Sequence, residues 1–278
     1  MNARLLFILL LFTIGALWYI IGYWRRKAGE AAFAAARLTG KSEERERYCR
    51  LAVMAGHRKA CRMFCLLHPE RFDGHSPHKP FKLRGIRISF YGYYYPSRYN
   101  ALLNDEQKAF CHSIYQFKQG DIHGIEFFKT CMNALQLKKR PYHIMFMPCS
   151  NWIKYGQRFK RLDWYIGKHR QDLTSGLYDV DICDARESLH EAKGGEKRIL
   201  ERNYLITGKI KGKEIIIIDD VLTTGQSVVD YKEEIERCGG KVVAAIFYGK
   251  TLSMPSMLLV QIHVWGNHIA HIIERMTK

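Results

Sequence analysis

Two adjacent acids, Asp219 and Asp220, follow four consecutive isoleucines and precede a hydroxyl-rich turn, Thr223-Thr224-Gly225-Gln226-Ser227. Hydroxyls on Thr223, Thr224 and Ser227 and a glycine that admits close backbone approach suit a phosphate dianion. The unpaired N–H groups and positive dipole end of a following helix add to that site. Carboxylates touching the phosphate would repel it. One sugar-length away they would instead accept hydrogen bonds from vicinal hydroxyls. The chemistry is that of a phosphosugar. A Walker loop is excluded, because Gly208 to Lys213 has the wrong spacing and leads into a strand. A receiver-type acidic pocket would explain the acids but not the hydroxyls.

Placing these groups requires particular elements. Ile215–Ile218 reads as a strand buried on both faces of a parallel sheet. Val228 to Arg237 reads as an amphipathic helix stopped by Gly239-Gly240, and Val242 to Tyr248 as the next strand. In an open α/β sheet, ligands bind at the carboxyl ends of the strands, where the acids stand. Upstream, a helical period runs from Ala109 to Leu137 with a break at Gly120–Gly124. Tyr142 to Met147 is a short apolar strand that ends at Pro148-Cys149-Ser150-Asn151, and Tyr91, Tyr93, Tyr94 and Tyr95 have strand-like spacing.

The run IIIIDDVLTTGQSV resembles the phosphoribosyl pyrophosphate (PRPP) signature of type I phosphoribosyltransferases. The resemblance implies an α/β fold with a parallel sheet flanked by helices, and PRPP bound with Mg2+. It assigns Asp219 and Asp220 to the ribose 2- and 3-hydroxyls, and Thr223, Thr224, Gly225, Gln226 and Ser227 to the 5-phosphate. Tyr115 to Gly120, the Met147-Pro148-Cys149-Ser150 turn, Arg186, Arg202-Asn203 and Gly212-Lys213 are similar to the ComF branch, the competence-associated amidophosphoribosyltransferase-like proteins. By that similarity the pyrophosphate side would comprise Ser150, Asn151, Arg158, Arg186 and Arg202. No residue is assigned directly to a metal. The chain departs from the branch on this side: Gln157-Arg158-Phe159-Lys160 stands for Arg-Gly-aromatic-Asn-Gln, Ser150 for a second proline, and the N-terminal four-Cys zinc module is missing.

Leu5 to Trp24 is a charge-free run of twenty residues followed by Arg25, Arg26 and Lys27. Such a run has the length of a bilayer span, and the basic cluster places the main domain in the cytoplasm. Expected boundaries are a transmembrane anchor with basic flank (1–27), a single tetratricopeptide-like helical hairpin (28–72), a linker (73–84) and the phosphoribosyltransferase-like domain (85–278). Cys61, Cys65 and His68 share a helical face, but their spacing is poor for zinc and they read as ordinary buried side chains. Eight cysteines without a Cys-x-x-Cys pair argue against a disulfide scaffold.

The net charge is +17, and residues 71–140 hold twelve Lys and Arg against five Asp and Glu. The expected function is transfer of a 5-phosphoribosyl group to a nitrogen nucleophile with release of pyrophosphate. Two other classes stay open. One is a PRPP sensor without turnover. The other is a single-stranded nucleic-acid module built on the basic region with Phe90, Tyr91, Tyr93, Tyr94, Tyr95 and Tyr99. Arg158, Lys160, Arg161, Arg186, Lys197, Arg198 and Arg202 would contact pyrophosphate or form a solvated basic face. Neither the acceptor nor the oligomeric state is legible.

Overall fold

The computed structural model describes residues 3–122, 124–182, 203–207 and 210–277. Two compact units emerge, the first made of residues 1–74, 99–103 and 253–278 and the second of residues 75–98 and 104–252. Residues 253–278, grouped with the main domain from sequence, therefore cluster with the first unit.

The first unit is helical: α1 (Ala3–Leu38), α2 (Ser42–Met54), α3 (Arg58–Leu67), α4 (Pro69–Asp73) and, from the far end of the chain, a helix at Met257–Met276. Phe33, Ala36, Cys49, Ala52, Val53, Ala60, Cys61, Phe64 and Cys65 share its core with Val260 and Val264. Small residues at the α2–α3 crossing permit close packing, and His57 caps α3 by accepting from the Ala60 N–H. Burial pushes the Cys65 thiol up to about 12, with Cys61 adding to the rise, as suits a core side chain.

The expected transmembrane anchor is overturned, and with it the single-pass placement with a cytoplasmic main domain. Among the described residues no helix is long and apolar enough to cross a membrane. The run Leu5–Trp24 is not a separate element bounded by basic residues. Arg25, Arg26, Lys27 and Glu30 lie inside one 36-residue helix. Arg25 donates to the Met54 carbonyl at 3.3 Å, Lys27 pairs with Glu30, and the helix continues into the core with Phe33 and Ala36 buried. Its basic residues serve the helical unit.

The second unit contains β1 (Phe81–Leu83), β2 (Ile86–Tyr94), α5 (Asp105–Gln119), α6 (Ile125–Leu135), β3 (Tyr142–Phe146), α7 (Trp152–His169), β4 (Leu173–Ser175), β5 (Val180–Ile182), β6 (Tyr204–Ile206), β7 (Glu214–Leu222), α8 (Gln226–Arg237) and β8 (Lys241–Thr251). The C-terminal helix of the first unit is α9 in this numbering. The main sheet runs β1-β2-β8-β7-β3-β4, with β5 and β6 a separate antiparallel pair. Only β1 is antiparallel in the main sheet; β2, β8, β7, β3 and β4 run parallel. This is the mixed α/β architecture with a parallel sheet that the sequence implied.

Ile215 to Ile218 pair with β3 on one side and β8 on the other and are fully buried. Each such side chain contributes roughly 1.5–3 kcal/mol of hydrophobic stabilisation. A register irregularity against β8 falls between Ile215 and Ile216. Phe90 and Tyr93 of β2, and Tyr95 just beyond it, are buried, and Tyr91 and Tyr94 pack against the core. Tyr99 is buried as well. The aromatics are core, so the stacking platform for single-stranded nucleic acid is not formed by them.

Candidate functional site

β7 carries both acids at its carboxyl end, and both are largely withdrawn from solvent. Two cations reach them from other elements. Arg158 of α7 places Nη1 2.6 Å from Asp220 Oδ2 and 3.9 Å from Asp219 Oδ1. Lys118 of α5 places Nζ 3.5 Å from Asp220 Oδ2. Asp219 Oδ1 also accepts from the Asp220 N–H at 2.7 Å. Burial, then the neighbouring Asp220, push the Asp219 carboxyl up to about 7.

A backbone approach brings the two cations together. Gly120 ends α5 with φ of 80°, and a Cβ there would stand 2.5 Å from the Gln157 carbonyl oxygen. Only glycine lets the end of α5 meet α7 this closely, one residue before Arg158 and two residues after Lys118. Arg158, expected on the pyrophosphate side, engages both acids in this structure. Lys118 was not among the expected site residues; the glycine after it was the available signal.

The turn after β7 sets exposed hydroxyls around a buried glycine. Gly225 caps α8 with φ of 78° and is buried, whereas Thr223, Thr224, Gln226 and Ser227 are exposed. A Cβ on Gly225 would come within 2.3 Å of Leu83 Cδ2. Thr224 Oγ1 accepts from the Gln226 N–H at 3.4 Å. Arg84, in the β1–β2 turn, donates from Nη1 to Gln226 Oε1 at 2.5 Å. It brings a cation to this loop from far away in sequence, and no local pattern announces it. The site thus offers hydroxyls, a helix N-terminus and a guanidinium on one side, and a buried acid pair on the other.

On the expected pyrophosphate side, Met147 N–H extends the β3–β7 pairing by donating to the Ile218 carbonyl, and the chain then turns through Pro148 to Asn151. Asn151 caps α7, its side chain accepting from Lys154 N–H at 2.9 Å. Asn203, just before β6, donates to the Cys149 carbonyl at 3.1 Å and to that of Ser150 at 3.4 Å, so it fastens this turn. Arg186, Lys197, Arg198 and Arg202 lie outside the described residues.

A second buried polar group belongs to the same unit. His143 Nε2 lies 2.8 Å from Asp179 Oδ2 and its Nδ1 lies 2.7 Å from Thr174 Oγ1. Burial, then Lys213, hold the imidazole below its ordinary range. His143 pairs with Ile215, at the start of β7, so this group is at the opposite end of the strands from the acids. The Asp179 carbonyl also accepts from the Thr207 N–H and hydroxyl, joining the two arms of the β5–β6 pair. The sequence showed His143 without any spacing that would reveal these partners.

The strand-end acids and the glycine-capped hydroxyl loop fall inside the stretch that is similar to known proteins. The phosphoribosyl transferase domain family matches residues 171–251, which include β7, the loop, α8 and β8. A stretch of 57 residues is 42% identical to the orotate phosphoribosyltransferase of Sulfolobus acidocaldarius, covering 20% of this chain and 26% of that protein. The chain therefore matches about a quarter of the length of that relative.

Proposed function

We propose that this protein binds PRPP and transfers its 5-phosphoribosyl group to a nitrogen nucleophile, releasing pyrophosphate. The observation that carries the reading is the placement of a buried acid pair and a glycine-capped hydroxyl loop on one strand–turn–helix, inside the segment that matches the transferase domain. The loop and Arg84 would hold the 5-phosphate, and Asp219 and Asp220 the ribose hydroxyls. The bond from the anomeric carbon to pyrophosphate breaks while the nitrogen–carbon bond forms. The electron pair of the broken carbon–oxygen bond departs with pyrophosphate, and the nitrogen then gives its proton to solvent. Positive charge developing on the ribose would be stabilised by the adjacent carboxylates, and fixing the sugar by its diol and phosphate supplies orientation.

The ComF-like assignment is part of this proposal and rests on Tyr115 to Gly120 and on the turn after β3. Magnesium accompanies PRPP in the family this segment resembles. The residues here do not fit a direct protein cradle for it, because Arg158 and Lys118 already engage the acids. Among the described residues no group of three or more His, Cys, Asp or Glu is placed to hold a metal.

The test is PRPP titration of the full chain by calorimetry, followed by a pyrophosphate-release screen over amines and nucleobases. Binding with release from one acceptor supports the transferase. Binding without release from any acceptor supports the sensor, which the departures on the pyrophosphate side favour. Failure of PRPP to bind removes both.

A further inference from the structure

Arg158 is held in place on several sides. It is largely buried, its Nε has no hydrogen-bond partner among the described residues, and its guanidinium lies 5.6 Å from the Phe159 ring. The close meeting of Gly120 with Gln157 fixes the end of α5 beside it and so brings Lys118 to the same carboxylate. Both cations lie within 3.5 Å of one oxygen, Asp220 Oδ2. Asp219 Oδ1 is occupied by the Asp220 N–H. One oxygen of each acid, Asp219 Oδ2 and Asp220 Oδ1, accepts no hydrogen bond and joins no ion pair among the described residues.

We propose that Arg158 and Lys118 stand in for a divalent cation at the Asp219–Asp220 pair, so that each carboxylate offers one oxygen to one sugar hydroxyl and the pair is closed to metal. This rests on the PRPP reading for the identity of the sugar. Mg2+ requires near-octahedral oxygen ligation at ~2.0–2.1 Å and dehydrates reluctantly. A second cation that close to Asp220 would be repelled by the guanidinium and the ammonium already there. A metal ion would then enter only on the pyrophosphate oxygens of the ligand. Arg158 and Lys118 are positioning residues: they neutralise and orient the acids that meet the sugar.

Mn2+ is the probe, added to the full chain at pH 8 without PRPP and followed by the paramagnetic resonance of the free ion. The parent should bind no stoichiometric Mn2+ at this site. Arg158→Gln should bind one Mn2+ at least about tenfold more tightly than the parent, a difference of about 1.4 kcal/mol. Adding Asp220→Asn to that variant should abolish the gain. Lys118→Gln, at a half-exposed position, should show a smaller gain and carries the test if Arg158→Gln does not fold. Parent binding as tight as that of the variants, or no gain in either variant, overturns the proposal. Failure of PRPP to bind the parent would overturn the functional reading instead and leave the Mn2+ comparison standing.

Discussion

Leu83, the last residue of β1, fills the space that a side chain on Gly225 would need, its Cδ2 lying 2.3 Å from the position of that missing Cβ. The edge strand and the loop after β7 are therefore fitted to one another by the absence of an atom. Gly225 also has φ of 78°, which other residues adopt only with strain. Gly225→Ala should destabilise the protein by about 1–3 kcal/mol and weaken PRPP binding by about tenfold or more. Leu83→Ala in the same chain should restore the part due to crowding and leave the part due to φ. Denaturant unfolding and calorimetry of the single and double variants separate the two; an unaltered affinity in Gly225→Ala would remove the loop from the phosphate site.

The acid pair gives a pH signature. Asp219 titrates near 7 when folded, above its unfolded value of 3.8, because burial and Asp220 disfavour its charge. The folded state therefore holds the extra proton, and this residue's contribution to stability falls as pH rises from about 4 to 7. Asp219→Asn should remove that dependence, so its melting temperature should gain on the parent across this window and stay ahead above it. Its PRPP affinity should fall by about tenfold or more, as should that of Asp220→Asn, each losing a charge-assisted bond of roughly 1.5–3 kcal/mol. Parallel melting curves from pH 4 to 8 would contradict the buried titration.

His143 should act in the opposite sense. Its folded imidazole is held below the ordinary value of 6.5, so the unfolded chain takes up the proton first and stability is lost as pH falls below that value. Asp179→Ala removes its buried partner at 2.8 Å while leaving the Asp179 carbonyl that joins β5 and β6, and should cost about 1–3 kcal/mol. Thermal unfolding at pH 7.5 measures this; a change within 0.5 kcal/mol, roughly the level of a neutral surface substitution, would show the contact to be dispensable.

Arg84→Ala should weaken PRPP binding by about tenfold and leave stability close to the parent, since its partner Gln226 is exposed. The affinity for a ribose pyrophosphate lacking the 5-phosphate should hardly change. Equal losses for both ligands would place Arg84 outside the phosphate site.

Sequence made the acids and the loop legible because they are contiguous: one buried strand, its end and the following helix carry them all. Lys118 and Arg158 reach the acids from α5 and α7, Arg84 reaches Gln226 from the β1–β2 turn, and only folding brings those elements together. Gly120 stood in the sequence only as a break in a helical period, with no sign of what would approach it. His143 was opaque for the same reason, since Thr174 and Asp179 come from β4 and the turn beyond it. The tyrosines of β2 alternated as a strand should, and packing put them in the core. Leu5–Trp24 misled because composition over twenty residues says nothing of where the helix ends, and this one carries its charges onward into a packed helical unit.

β7 passes through four consecutive buried isoleucines before it reaches its acids, with one register irregularity against β8. Side chains along a strand alternate between faces, so the arithmetic of that run decides which carboxylate faces which neighbour. Deleting any one isoleucine would leave hydrophobicity and length almost untouched, yet would exchange the faces of Asp219 and Asp220 relative to Arg158 and Lys118. The run behaves as a ruler whose markings are individually interchangeable but whose parity is not: Ile217→Val should be tolerated where the loss of Ile217 should silence the site.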